Sequence, residues 1–185
     1  STNALTLHPG SSLTLDNNGG INAVMAAANV GDRIAHSPAI RLNGAFLQMI
    51  GANTVASTET LGAVTYEKGA RIRVAETGAA GTATLNLASL TRAGAGSSLL
   101  LQTSAANTLG AADKIMVTAA PATTNGMVDA SIVNATDGHF VNYGASGFVR
   151  ATYDNTFTVA GTLTPGMAST AKVNVASAGT LTLGD

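Results

Sequence analysis

A short unit recurs along this chain: a glycine, one or two small residues, and then a run in which apolar and polar side chains alternate. The unit occurs at residues 10–15, 44–49, 69–74, 96–101, 161–164 and 179–183. Alternation with a period of two places successive side chains on opposite faces of a β-strand. The glycines at 44, 69 and 96 are 25 and 27 residues apart, within the ~20–45 residues of one structural repeat. We therefore predict an all-β fold, a parallel β-helix or β-solenoid.

Other segments alternate in the same way, and most of them are rich in β-branched residues. They cover residues 63–66, 82–87, 114–118, 127–133, 156–163 and 171–175, with Gly, Asn, Asp and Pro between them. Short strands at such spacing also fit a β-sandwich, which is the alternative architecture. Only 4% of the residues are aromatic and none is Trp. Because a sandwich usually has an aromatic cluster at its centre, this composition favours the solenoid.

Two segments stand apart from the strand pattern. Residues 21–30 are rich in alanine and could form two or three helical turns, although a strand or an outward loop also fits. Residues 119–125 contain Pro121 and paired threonines, which predicts a protruding loop. We expect residues 1–185 to form a single solenoid segment, processed or excised, and in that case one piece of a longer repeat array.

Charge and cysteine content exclude several classes of partner and chemistry. Charged residues make up 10% of the chain and the formal net charge is −1, which argues against nucleic acid because phosphate binding needs clustered Lys and Arg. The chain has no cysteine, so disulfides and thiolate metal sites are excluded. No apolar run approaches the ~18 residues of a membrane span, and no membrane insertion is expected.

Eight stretches, taken in order, resemble the bacterial autotransporter-associated β-strand repeat family. They are GSSLTLDN at 10–17, DRIA at 32–35, AIRLNG at 39–44, STETLGAVT at 57–65, GTATL at 81–85, SLTR at 89–92, TTNG at 123–126 and YGASGF at 143–148. The resemblance implies a large, repetitive bacterial protein that is secreted or lies on the cell surface, with a passenger region that forms a parallel β-helix. It implies no activity and offers no catalytic motif. Nothing in the chain matches the membrane-barrel translocator of an autotransporter.

The residue types that usually carry chemistry are scattered. His8, His36 and His139 lack metal-ligand spacing, and we interpret them as surface turn residues. The ten carboxylates are spread evenly, whereas a polysaccharide-degrading enzyme needs several acids on one face. The segment that starts at Asp16 resembles the opening of a calcium loop but lacks the downstream acid, so a simple Asx turn is predicted. We predict no catalytic residue, cofactor or metal.

The two ends of the chain carry the same strand type. Leu5, Thr6 and Leu7 stand near the start, and Leu181, Thr182 and Leu183 stand near the end. Terminal solenoid strands present unpaired N–H and C=O groups, so these six residues are the candidate self-assembly site. The expected function is a structural element of an extracellular or cell-surface fibre that stacks end to end on copies of itself or on adjacent repeats. The alternatives are an adhesin that binds surface glycans and, less favoured, a polysaccharide-degrading β-helix enzyme.

Overall fold

A computed structural model describes residues 4–18, 30–76, 78, 80–153, 155–157, 161–163, 173–175 and 181–183. These residues contain strands and no helix. The strands are β1 (Leu5–Leu7), β2 (Ser12–Asp16), β3 (Ile40–Asn43), β4 (Phe46–Gly51), β5 (Ala56–Glu67), β6 (Gly69–Glu76), β7 (Thr82–Arg92), β8 (Ser98–Gln102), β9 (Asp113–Val117), β10 (Ile132–Asn134), β11 (Val141–Gly144), β12 (Gly147–Arg150), β13 (Asn155–Phe157), β14 (Gly161–Leu163), β15 (Val173–Val175) and β16 (Leu181–Leu183). They belong to two compact units, Ser1–Arg150 and Ala151–Asp185.

Two parallel sheets of five strands form the first unit. The first sheet has the order β1-β3-β5-β7-β9, and the second has the order β2-β4-β6-β8-β10. Because consecutive strands alternate between the sheets and every pairing within these two sheets is parallel, the chain coils as a β-solenoid. The solenoid prediction is confirmed, and a sandwich of antiparallel sheets is not what forms.

The repeating glycines mark the corner before strands of the second sheet. Gly44 and Gly96 have φ angles of 62° and 79°, which a residue without Cβ adopts at no steric cost. Phe46 after the first corner pairs with Arg71, and Gly69 pairs with Ser98 after the next. The 25 residues between Gly44 and Gly69 therefore correspond to one turn of the coil, whereas the following turn takes 29 residues, two more than the glycine spacing predicted.

Strands β5 and β7 each contain a further corner. Residues 57, 59 and 61 of β5 are buried, but beyond Gly62 the buried positions are Val64 and Tyr66. The inward-facing positions thus change from odd to even at the corner, and the register of β5 with β7 is interrupted there. The amino-terminal half of β7 pairs with β9, whereas β3 pairs with the carboxyl-terminal half of β5. The first sheet is therefore divided into two columns of strands.

The interior is lined by aliphatic rows that run along the coil. One row of the second sheet contains Leu13, Leu47, Ile72 and Leu101, of which the last three are fully buried. Aliphatic side chains at aligned positions pack each turn onto the next, so the apolar surface that is buried grows with every turn added. Tyr66 and Phe148 are the largest fully buried side chains among the described residues.

Two smaller elements complete the described chain. Strands β11 and β12 form an antiparallel hairpin, with Gly144 opposite Gly147. In the second unit, β13 pairs in parallel with β15, and β14 pairs in parallel with β16. This alternation repeats the coil pattern of the first unit on a smaller scale.

The predicted local elements agree with the structure in most places. The predicted loop at 119–125 lies outside any strand and ends in a tight turn at Thr124–Met127 with φ angles of 52° and 78° at Asn125 and Gly126. The predicted strand at 127–133 is shorter in the structure, which has β10 only at Ile132–Asn134. The alanine-rich segment lies outside the described residues except for Val30. Within the described residues, no helix has the length and hydropathy to span a membrane.

Candidate functional site at the two ends of the first unit

The amino-terminal end of the first unit is an open sheet edge in the described chain. Leu5 N–H donates to Ala39 C=O at 2.8 Å, so the odd residues of β1 face β3 and the main-chain groups of Thr6 face outward. Asn17 N–H donates to Ile50 C=O at 2.8 Å, so Ser12, Thr14 and Asp16 of β2 face outward in the same way. No described residue bonds these outward groups.

The side chains at this end are less covered than those further along the coil. Leu5, Leu7 and Leu13 are half-buried, whereas their in-register neighbours Ile40, Leu42 and Leu47 are buried. A further strand on each edge would cover this apolar surface as well as bond the outward main chain.

At the opposite end of the first sheet, the outer edge of strand β9 is capped at Asp113 and Val117. Thr118 N–H donates to Leu87 C=O at 2.9 Å, so the even residues of β9 face β7 and the odd residues face outward. The hydroxyl of Tyr143 in the hairpin meets both outward groups of Val117, accepting from its N–H at 2.7 Å and donating to its C=O at 2.7 Å. Asp113 C=O accepts from Gly110 N–H at 2.9 Å. Side chain and turn therefore replace the next strand.

A glycine lets the hairpin approach β9 this closely. A Cβ placed on Gly147 would lie 2.3 Å from the carbonyl oxygen of Ile115, and the φ of Gly147 is 77°. Both the close contact and the left-handed backbone require a residue without a side chain. Tyr143 is held in place by an edge-to-face contact with the buried ring of Phe148, with centroids 4.9 Å apart.

The second sheet is closed at the same end by its own following turn. Asn134 of the edge strand β10 donates its N–H to His139 C=O and accepts from Gly138 N–H, both at 2.8 Å. Ile132 N–H donates to Asp129 C=O at 3.0 Å. Solenoids are protected from edge-to-edge association by such terminal caps.

One part of the first sheet stays uncovered at the closed end. Strand β9 covers only residues 83–87 of β7, and the chain turns away after Ala119 N–H bonds Ala88 C=O at 3.1 Å. Residues 90–92 of β7 border a groove of about 760 Å³, whose other wall is the loop that contains Pro121 and Met127. Among the described residues, none bonds the main chain of Leu90 or Arg92.

Polar groups lie along this groove. Arg92 donates from Nε to Ser97 C=O at 3.1 Å and lies 3.6 Å from an Asp129 carboxylate oxygen. The backbone N–H of Ser131 donates to Asp129 at 2.7 Å, and this bond holds the pKa of Asp129 below its usual value. Burial raises the pKa of Tyr66, whose hydroxyl is 2.8 Å from that of Ser131.

The histidines occupy exposed or half-buried turns, as predicted, but two of them have carboxylate neighbours. His36 Nε2 is 2.6 Å from Asp32, and His139 Nδ1 is 3.0 Å from Asp137. Arg150 lies beside the second pair, with its Nε 2.7 Å from the same Asp137 oxygen.

The Asx turn predicted at Asp16 is confirmed, since Asn18 N–H donates to its carboxylate at 2.8 Å. The described residues contain no group of three or more potential metal ligands.

Three of the evenly spread carboxylates are buried, which sequence reasoning did not predict: Glu59, Glu76 and Asp113. Asp113 accepts Glu76 N–H at 2.7 Å and Ser104 N–H at 2.9 Å, so both of its oxygens hold backbone. Glu59 accepts Ile34 N–H at 3.4 Å through one oxygen, and its other oxygen has no described partner. Burial raises the pKa of Glu59. In residues 56–61, Glu59 occupies an inward-facing position of the alternating pattern, and this position was the available signal that its carboxylate is buried.

The six candidate self-assembly residues lie in edge strands of different units. Leu5, Thr6 and Leu7 form β1, which pairs only with β3 among the described strands. Leu181, Thr182 and Leu183 form β16, which pairs with β14 in the second unit. Sequence reasoning missed the capping hairpin, because Tyr143 stood out there only as one of few aromatics.

Searches of protein-family models, of curated proteins and of solved structures find no match to this chain.

Proposed function

We propose that this chain is a structural β-solenoid element of an extracellular or cell-surface bacterial fibre and that it assembles by stacking strands end to end. The observation that carries the proposal is the open amino-terminal edge, where the main-chain groups of Thr6, Ser12, Thr14 and Asp16 lack described partners. An edge of this kind gains hydrogen bonds and apolar burial when another strand is added. The resemblance to the autotransporter repeat family supports the location.

The use of buried polar groups supports a scaffold role. Asp113, Ser57 and Glu76 each accept a backbone N–H, at 2.7, 2.8 and 2.5 Å respectively. These side chains stabilise corners of the coil. A surface with only 10% charged residues gives little electrostatic protection against self-association.

A glycan-binding adhesin module is the second candidate, and the groove beside residues 90–92 favours it. This groove offers Arg92, Asp129 and Asn125 beside apolar side chains, the mixture that small-molecule sites use. A stacking platform is less evident, because Phe140 is the only exposed large aromatic among the described side chains. A polysaccharide-degrading enzyme is the third candidate, although the Arg92–Asp129 and Arg150–Asp137 pairs each offer only one of the several acids that it needs.

Sedimentation velocity over a range of concentrations, with electron microscopy of the same samples, tests the assembly. We expect oligomers that grow with concentration. The double variant Thr6→Pro/Thr14→Pro should remain monomeric, because proline removes an outward N–H from each edge strand and no bond inside the unit. Its matched control, Thr6→Ala/Thr14→Ala, keeps both N–H groups and should still assemble. A wild-type chain that is monomeric at all concentrations would contradict the proposal.

A further inference from the structure

In one column of the first sheet, the residues of each strand are aligned with those of the next strand from β1 to β7. Leu5, Ile40, Val64 and Leu90 are aligned along it, as are Thr6, Arg41, Thr65 and Thr91. The column begins at β1 and ends at residues 90–92 of β7. Both terminal layers have an uncovered edge among the described residues.

The hydrogen-bonding groups of the two edges are complementary. Ala93 N–H donates to Tyr66 C=O at 2.9 Å, so odd residues at the end of β7 face β5 and the main-chain groups of Leu90 and Arg92 face the groove. On β1 the outward main-chain groups belong to Thr6. If the column register continues, Thr6 N–H reaches Leu90 C=O, and Arg92 N–H reaches Thr6 C=O. One strand can thus follow the other as β7 follows β5.

Side-chain pattern and space agree with this match. Leu5 and Leu7 would point inward over Leu90 and over the stem of Arg92, whose guanidinium is turned to Ser97 C=O and Asp129. Thr6 would point outward beside the exposed Thr91. The groove of about 760 Å³ lies at the position of the next layer and has Leu90, Ile132, Met127 and Val128 among its lining residues. Three residues of strand need about 10 Å of length.

We propose that this groove accepts strand β1 of a second copy of the chain, parallel to β7 and with Leu5 over Leu90. The contact rests on the proposed self-assembly and gives it a direction, head to tail. Because the donor strand and the acceptor groove are different surfaces, every oligomer keeps one free strand β1 at one end and one free groove at the other, and the contact propagates into an open filament. The capped β9 and β10 edges take no part in the strand pairing. The assembly is therefore narrower than a full stack of solenoid ends.

Engineered cysteines test the register without background, since the chain has no cysteine of its own. A mixture of the full-length Thr6→Cys and Thr91→Cys proteins is treated with a short bifunctional maleimide. Aligned residues on neighbouring strands lie about 5 Å apart, so we expect a covalent heterodimer as the main product. The matched control pairs Thr6→Cys with Lys114→Cys, which lies on β9 at the capped edge, and should give at least tenfold less product.

The outcomes separate the two proposals. Wild-type oligomers together with equal cross-linking at Thr91→Cys and Lys114→Cys would overturn the groove as acceptor and leave self-assembly standing. An absence of oligomers in sedimentation would overturn both. A cross-link within one chain, between Thr91→Cys and Thr182→Cys, would show that the chain's own Leu-Thr-Leu strand takes the groove, and this also overturns the proposal. A donor protein that carries Leu7→Cys should also cross-link to Thr91→Cys. If this heterodimer disappears when Thr6→Pro is added to the same donor, the result supports the proposal.

Discussion

The two ends of the first unit have the same strand architecture, but the edge strands are open at one end and capped at the other. At the amino-terminal end, the outward groups of Thr6 and Thr14 have no described partner. At the other end, Val117 and Asn134 are bonded by a tyrosine hydroxyl and by a following turn. The difference shows that a solenoid need not be closed by a helix or a charged strand. One aromatic side chain and one glycine can end a parallel sheet.

The strongest way to break this difference is to dislodge the hairpin. Gly147→Ala should lower the free energy of unfolding by about 3 kcal/mol, because a Cβ would lie 2.3 Å from Ile115 C=O and φ is 77°. Gly126→Ala is the matched control: φ is 78°, but a Cβ meets nothing within 4 Å, so only the backbone cost of about 1 kcal/mol is expected. Urea denaturation measures both. Equal losses would mean that the hairpin does not press on β9.

A smaller change removes only the bonds that close the β9 edge. Tyr143→Phe keeps the ring beside Phe148 but leaves Val117 N–H and C=O without partners. We expect a loss of about 2 kcal/mol and faster amide exchange at Val117. Tyr66→Phe removes one hydroxyl contact to the half-buried Ser131 and should cost about 1 kcal/mol. If Val117 exchanges at an unchanged rate in Tyr143→Phe, the hydroxyl does not cap the strand.

The smallest expected effect concerns pH and separates two acids of β5. Burial raises the folded-state pKa of Glu59, so its ionisation costs stability as pH rises from the ordinary glutamate value through the raised one. Arg41 lowers the pKa of Glu67, so the stability that Glu67 provides is present above the ordinary value and is lost as pH falls through the lowered one.

Urea midpoints of Glu59→Gln and Glu67→Gln should therefore move in opposite directions from the wild type at pH 7. Glu59→Gln should unfold at a higher urea concentration and Glu67→Gln at a lower one, and both differences should shrink below the ordinary glutamate pKa. A lower midpoint for Glu59→Gln would show that the loop around Ile34 does not bury the Glu59 carboxylate, and a higher midpoint for Glu67→Gln would show that Arg41 does not stabilise the Glu67 carboxylate.

Sequence predicted the coil but not how it ends. Glycines before Phe46 and Ser98 marked corners, because those positions need positive φ or a sharp turn, and alternation marked the strands. The corners at Gly62 and Ala88 lie inside continuous alternating runs, where only a change of inward phase reveals them. The cap depends on a contact between Tyr143 and Val117, 26 residues apart, which no local pattern encodes. Glycines on both sides of residues 145–146 were the available hairpin signal.

Amide hydrogen exchange of the full chain, followed residue by residue at low and high protein concentration, tests the difference between the ends most directly. We predict that Val117 and Asn134 are protected at both concentrations, because their N–H groups are bonded within the unit. Thr6 and Thr14 should exchange rapidly in dilute protein, and Thr6 should become protected as concentration rises. Protection of Thr6 and Thr14 that is equal to that of Val117 in dilute protein would contradict an open amino-terminal edge.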